Sequence, residues 1–245
     1  ASNKLRGDIV ALEIHVDLAV ATLVSVPRSD PHEVRALTSE EAKKLIEVAQ
    51  GQWIKPLLIL ALTTGLRRGE LLGLRWHDID MKHRIMQIRR TANKYSGHGF
   101  VENDPKTKRS RRNIVLSDIA LQALKEHHIL QSEMKLKAGD KWQEQDLVFP
   151  NRSGKFLDPL TLQNQFHRLL EKAGLPRIRF HDLRHSAATI LLTMGVHPKV
   201  VQELLGHGTI AMTMDTYSHL LPSMQKDVAD KMNDVFRLSE DQESD

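Results

Sequence analysis

Cysteine is absent from the 245 residues, which excludes disulfides and thiolate metal sites outright. No apolar run approaches the roughly 20 residues that span a bilayer. The start, ASNKLRGDIV, lacks a basic region followed by an apolar one, so no signal peptide is read there. Together these absences lead to an expectation of a cytoplasmic protein without a membrane partner. Several catalytic signatures are missing too. There is no H-E-x-x-H zinc pattern, no G-x-S-x-G nucleophile elbow, no P-loop and no dinucleotide fingerprint. Aromatics are scarce, with six Phe, three Trp and two Tyr. Each tyrosine therefore gains weight as a candidate for special chemistry, although most tyrosines in any protein are structural.

What remains is ordinary for a globular chain: 40% hydrophobic and 27% charged, enough for a core of normal size. The formal net charge of +4 is mildly basic and alone says little about nucleic acid. Its distribution says more. Lys106, Lys108, Arg109, Arg111 and Arg112 fall within seven residues, whereas acidic residues gather in the tail SEDQESD. A charge run is usually a solvated face, and the DNA-contact reading stands beside that one.

Along the chain, residues 8–26 are apolar, and Pro27, Asp30 and Pro31 break the pattern, so 27–37 reads as a linker. LTSEEAKKLIEVAQ predicts a helix capped at Thr38 or Ser39, with Glu40 and Glu41 at the positive end of its dipole. Residues 52–63 predict an apolar helix with Pro56 near its start, interrupted at Gly65 and followed by a short helix in RRGELLGLRW. Residues 84–90 and 111–116 read as strands. The turn-rich stretch between them reads as a loop carrying the basic cluster. Helices follow over 117–137, 159–173, 181–194, 198–205, 209–220 and 222–236, several of them stopped by Gly174, Gly195 or Gly206. The expected fold is mostly α with a small antiparallel sheet.

Four segments hold an unusual set of polar residues: TTGLRRGELLGLRWHDID, PKTKRSRRNIVL, HDLRHSAATILLTMGVHPKVVQELLGH and TMDTYSHL. His181 and Arg184 lie three apart, on one helical face. His181 and His185 lie four apart, a spacing that can bind zinc, but no third ligand is indicated. A lone histidine is more often structural than catalytic. Taken together, the four segments and their spacing resemble the tyrosine recombinase, or phage integrase, family, from about Leu37 to about Phe236.

The resemblance implies a role for each matching position. Arg67, in T-G-L-R-x-G-E, corresponds to the first catalytic arginine. Lys106 corresponds to the hairpin-loop lysine, with Lys108 two residues on as the competing assignment. His181 and Arg184 correspond to the histidine and second arginine of H-x-L-R-H, His207 to the His or Trp of L-G-H, and Tyr217 to the nucleophile. Glu70 matches an acidic residue of the first motif and is read as support. Lys108, Arg109, Arg111 and Arg112 are expected to contact DNA.

The implied activity is site-specific cleavage and rejoining of double-stranded DNA through a 3′-phosphotyrosine, without metal or other cofactor. The implied partners are further copies of the chain, forming a homotetramer on DNA by C-terminal helix exchange, and accessory DNA-bending or excision factors. Such a protein would be associated with the nucleoid. The expected organisation is a remnant or end of an N-terminal core-binding domain plus linker at 1–32, the catalytic domain at 33–238 and a polar tail at 239–245. Two rivals share the scaffold: a type IB topoisomerase-like strand transferase and a non-catalytic DNA-binding relative. A zinc protein built on His181 and His185 is a third.

Overall fold

The computed structural model describes residues 35–95, 97, 99–103, 111–209, 229–230, 232–233 and 236. The chain divides after Val34 into two units, and the described residues belong to the second. Lys106, Lys108, Arg109 and Tyr217 lie outside the described residues, as do the apolar stretch 8–26, the tail 239–245 and nearly all of the two last expected helices.

Helix α1 spans Ser39–Val48 and is opened by a reciprocal cap. The Glu41 N–H donates to Thr38 Oγ1 at 3.2 Å, and the Thr38 N–H donates to Glu41 Oε2 at 3.0 Å. Two of the four donors that a helix start leaves unmatched are thus satisfied. Helix α2, Lys55–Thr64, is apolar on every side, and residues 56–62 are all buried. A helix hydrophobic all round must be enclosed on all sides. Here α2 is the central rod, packed by α1 and by two helices that follow later in the chain. It ends at Gly65 in the left-handed conformation, φ 62°. A short helix α3 then spans Arg68–Leu72.

The sheet region comes next. Strands β1 (Ile79–Asp80), β2 (Ile85–Ile88) and β5 (Arg112–Val115) form one antiparallel sheet in the order β1-β2-β5. Met86 opposes Ile114, and both are buried, so this register points an apolar row at the core. Between β2 and β5 the structure differs from the loop expected there. Strands β3 (Thr91–Tyr95) and β4 (Gly99–Asn103) form a second antiparallel hairpin. Polar residues hide it in the sequence, since most of its side chains face away from the core. Its anchor is Ala92, 1% exposed, lying against α3. Two glycines permit that approach: a Cβ on Gly69 would stand 3.2 Å from the Ala92 carbonyl oxygen, and one on Gly73 would stand 3.1 Å from the Ala92 nitrogen.

Four helices complete the described unit. The 21-residue α4 spans Asp118–Ala138, and α5 spans Pro159–Lys172, with Asp158 capping the Leu160 N–H at 2.8 Å. Leu162, Phe166, Leu169 and Leu170 of α5 form one buried stripe at helical spacing. Helix α6 spans Asp182–Thr193 and α7 spans Pro198–Leu205. Both α4 and α6 pack on α2. The Leu37 N–H, just before α1, donates to the buried Ser186 Oγ of α6 at 2.8 Å, tying the start of the unit to the site-bearing helix. Among the described residues no helix is long and apolar enough to cross a membrane.

One buried histidine makes this packing sensitive to pH. His127 of α4 is 7% exposed, and its Nε2–H donates to the Val148 carbonyl at 2.6 Å. A carbonyl only accepts, so that nitrogen carries the proton. Burial lowers the pKa of His127 against the opposing effect of the Val148 hydrogen bond, with the neighbouring His128 lowering it further. A folded pKa below the unfolded value near 6.5 means that stability is fully present above that value and is lost as the pH falls through the folded one. Urea midpoints taken at pH 7 and pH 5 should therefore fall for the parent chain. They should fall less for His127→Gln, whose amide cannot take up a proton. An equal fall in both would locate the acid sensitivity elsewhere.

Candidate active site

The site begins with a carboxylate in the wrong place for a lone charge. Glu70, in α3, is 2% exposed. Burial opposes its ionisation, yet its pKa lies below the ordinary carboxylate range. Hydrogen bonding and charge from Arg112, the Arg67 backbone N–H and the Arg67 charge together outweigh the desolvation. The geometry shows how. Arg112 approaches from β5 as a fork, Nη1 to Oε1 at 3.1 Å and Nη2 to Oε2 at 3.0 Å. Arg67, at the entrance of α3, donates its backbone N–H to Oε2 at 2.9 Å and its Nη1 to Oε1 at 3.0 Å. Planar guanidinium groups suit this two-sided grip because their donors match the carboxylate edge.

Both arginines also reach the chain that carries His207. Arg112 Nε donates to the Leu204 carbonyl at 2.7 Å, and Arg67 Nη2 donates to the Gly206 carbonyl at 3.4 Å. Gly206 ends α7 in the left-handed conformation, φ 68°, and a Cβ there would stand 3.0 Å from Arg112 Nη1. A side chain at this position would meet both backbone strain and the guanidinium.

Arg184, on the first turn of α6, is 4% exposed and donates Nη1 to the Gly65 carbonyl at 2.8 Å. The turn after α2 is thus linked directly to α6. His181 precedes α6, and its ring meets that of His185 edge to face at 5.7 Å between centroids. Asp182 between them is buried and accepts from the Arg179 N–H at 2.8 Å and from Arg179 Nη2 at 2.9 Å, which fixes the start of the helix.

The histidines sit in a cationic field. His207 is pushed down to about 4 by desolvation, then by Arg184, Arg67, His185 and Arg112. His181 is lowered by desolvation, then by His185 and Arg184, against the opposing charge of Asp182. Both shifts favour the neutral form of the ring. A neutral imidazole can accept a proton or donate a hydrogen bond, and a bound phosphate would favour its charged form. The arrangement is fit to receive an anion, hold it with fixed cations and exchange protons beside it.

Of the residues singled out by sequence, Arg67, His181, Arg184 and His207 converge here. Arg111 is exposed and lines an open cleft of about 680 Å³ with Gln87, Arg89, Arg90 and Asn113. Arg89 and Arg90 went unremarked as part of a strand, although the run IRR in the sequence was their signal. Arg112, also expected to contact DNA, borders the same cleft, with its side chain 8% exposed and paired with Glu70. Arg111 lies just before β5, whereas Arg112 opens the strand and turns its guanidinium to Glu70. Among the described residues no group of three or more His, Asp or Glu is placed to hold a metal ion.

Glu70→Gln tests the centre of this network. It leaves Arg112 buried with half its partner gone, and breaking a buried pair in this way costs about 3–5 kcal/mol. Urea denaturation at pH 7 should show a loss of that order. A change under about 1 kcal/mol would mean that the carboxylate contributes little net stabilisation.

A family profile described as "Phage integrase family" matches residues 35–224. The chain is 36% identical over 215 residues to a "Tyrosine recombinase XerC-like" protein of Caldanaerobacter subterraneus subsp. tengcongensis, covering 83% of this chain and 55% of that protein. It is 33% identical over 203 residues to the ICEBs1 integrase of Bacillus subtilis, covering 80% and 54%. It thus spans about half the length of the curated relatives it matches. Among solved structures, XerA recombinase aligns with a TM-score of 0.63 at 27% identity, covering 89% of this chain and 71% of that one. The integrase of transposon Tn1549, in complex with transposon right end DNA, shares the fold with a TM-score of 0.68 at 24% identity, covering 83% and 69%. With the profile covering most of its length and a relative 36% identical over 83% of it, this chain belongs to the phage integrase family of tyrosine recombinases.

Proposed function

We propose that the chain is the catalytic part of a site-specific recombinase, cleaving and rejoining double-stranded DNA through a covalent 3′-phosphotyrosine. The observation that carries this reading is the convergence of Arg67, Arg184, His181 and His207 on one cationic site with neutral imidazoles. A phosphodiester spreads developing charge over its nonbridging oxygens in the transition state. Arg67 and Arg184 stay protonated at any working pH and can donate to those oxygens as the charge builds.

The proposed nucleophile is Tyr217. A free phenol titrates at about 10, so a tyrosine nucleophile at neutral pH is helped by a base. His181 takes the phenol proton as Tyr217 Oη bonds to phosphorus. The bond from phosphorus to the 5′-oxygen breaks, and Lys106 supplies the proton that the leaving oxygen needs. His207 donates to a nonbridging oxygen. The ester retains the free energy of the broken bond, so a 5′-hydroxyl of another strand can reverse the step with protons moving back. No metal ion or nucleotide enters this scheme. Lys108, Arg109 and Arg111 are assigned to the phosphate backbone, Arg111 together with the cleft beside it.

The proposed assembly is a homotetramer on DNA, with residues 222–236 docking on a neighbouring copy and accessory DNA-bending or excision factors directing the outcome. One heterologous interface repeated round a ring coordinates four cuts. The protein would then act at the nucleoid. The topoisomerase-like alternative is not favoured, because the relatives named above are recombinases and integrases.

Two experiments test the chemistry. A nicked suicide duplex built from the sequence flanking the chain's gene should trap a covalent protein–DNA adduct, in excess EDTA as well as without it. Tyr217→Phe should form no adduct while binding the duplex within about twofold of the parent, since only one hydroxyl is removed. Adduct at parental levels from Tyr217→Phe removes that residue from the chemistry.

The second experiment replaces the bridging 5′-oxygen with sulfur, a leaving group that needs no proton. This substrate should restore most of the cleavage lost in Lys106→Ala, a loss of about 100-fold for a general acid. It should leave Arg67→Ala defective. Rescue of Lys108→Ala in place of Lys106→Ala would move the acid two residues along.

A further inference from the structure

We infer that Arg112 is a positioning residue that fastens Arg67 and His207 into one catalytic unit, rather than a contact to the DNA backbone. The inference rests on the recombinase reading above and assigns to Arg112 a function that the family motifs do not specify. Four observations carry it. Its guanidinium forks both oxygens of Glu70, at 3.1 and 3.0 Å. The same Glu70 carboxylate holds Arg67 through both the backbone N–H and Nη1. Its Nε donates to the Leu204 carbonyl at 2.7 Å, three residues before His207. Finally, the Arg112 side chain is 8% exposed, so little of it is open to solvent even though it borders the cleft beside Arg111.

These contacts join three elements that sequence separates widely: α3 with Arg67, β5, and the end of α7 with His207. A lysine can replace the charge but not the geometry. One ammonium cannot grip both carboxylate oxygens in a plane while a third donor reaches the Leu204 carbonyl in a different direction. Gly206 fits the same logic, because a Cβ there would stand 3.0, 3.3 and 3.4 Å from Arg112 Nη1, Cζ and Cδ. The peptide preceding His207 lies directly against the guanidinium. Displacing the arginine therefore displaces the backbone that sets His207, and it frees Glu70 to rotate away from Arg67. Misplacing catalytic groups by about 1 Å costs on the order of 100-fold in rate.

The test uses the full chain as Arg112→Lys and Arg112→Gln. Three quantities are read: the affinity for the flanking-sequence duplex and its salt dependence, the single-turnover cleavage rate at saturating suicide duplex, and the titration of His207 by NMR. The expected result is unchanged affinity, within about twofold, and an unchanged salt slope. Cleavage should fall about 100-fold in Arg112→Gln and by a similar factor in Arg112→Lys, because charge without the fork does not restore the geometry. In Arg112→Lys the His207 pKa should also rise from about 4 toward its ordinary value, although the local charge is kept.

Three results would overturn the inference. The first is cleavage at the parental rate in either variant. The second is weaker binding with a salt slope reduced by about one unit and a normal rate at saturation, the signature of a phosphate contact. The third is loss of the cooperative thermal transition in both variants, which would make Arg112 a determinant of folding only. Failure of the recombinase reading is distinct: the parent chain itself would then give no adduct. The His207 titration would still decide whether Arg112 positions that residue.

Discussion

The structure around the site depends on one buried carboxylate held between two guanidinium groups. A charge 2% exposed would be excluded from a protein interior if it stood alone. Glu70 is tolerated because each of its oxygens accepts from both Arg67 and Arg112. Arg112 comes from a strand and Arg67 from a helix entrance, and both continue to carbonyls at the end of α7. The network therefore transmits position in a way an apolar contact cannot. Apolar packing tolerates sliding by fractions of an ångström, whereas forked ion pairs lose their geometry when one partner rotates.

The field that these charges create also explains the state of the histidines. Burial first, and then the fixed cations beside them, depress the imidazole pKa values. His207, at about 4, is the extreme case, lowered by desolvation and then by Arg184, Arg67, His185 and Arg112. Residues that look independent in sequence share one electrostatic environment. The chemical state of any one of them is a property of the group.

The helices were legible in the sequence because local rules decide them. Thr38 with Glu41, Pro56, Ser117 with Asp118, Pro159 and Pro198 mark helix starts, and Gly65, Gly174 and Gly206 mark ends by their left-handed conformation. Strands β2 and β5 were legible from β-branched alternation. The β3–β4 hairpin was not, since its stability comes from a backbone approach at Gly69 and Gly73 that no periodicity records. At the site, the resemblance to the tyrosine recombinase family implied Arg67, His181, Arg184 and His207. The role of Arg112 was hidden for a different reason. A run of basic residues reads as a solvated face, but a strand turns alternate side chains inward. That Arg112 opens β5 opposite Ile88 and turns to Glu70 is a long-range fact.

Arg184 donates to the main-chain oxygen of Gly65. Every residue type carries that oxygen, so no single exchange of amino acid can delete the acceptor. What can be lost is its direction, which the left-handed turn at Gly65 sets and which a Cβ 2.3 Å from Leu205 Cδ2 would oppose. The contact thus converts a chemical requirement into a purely conformational one. The acceptor itself is therefore indifferent to side-chain identity, while the path of the chain through this one turn is not.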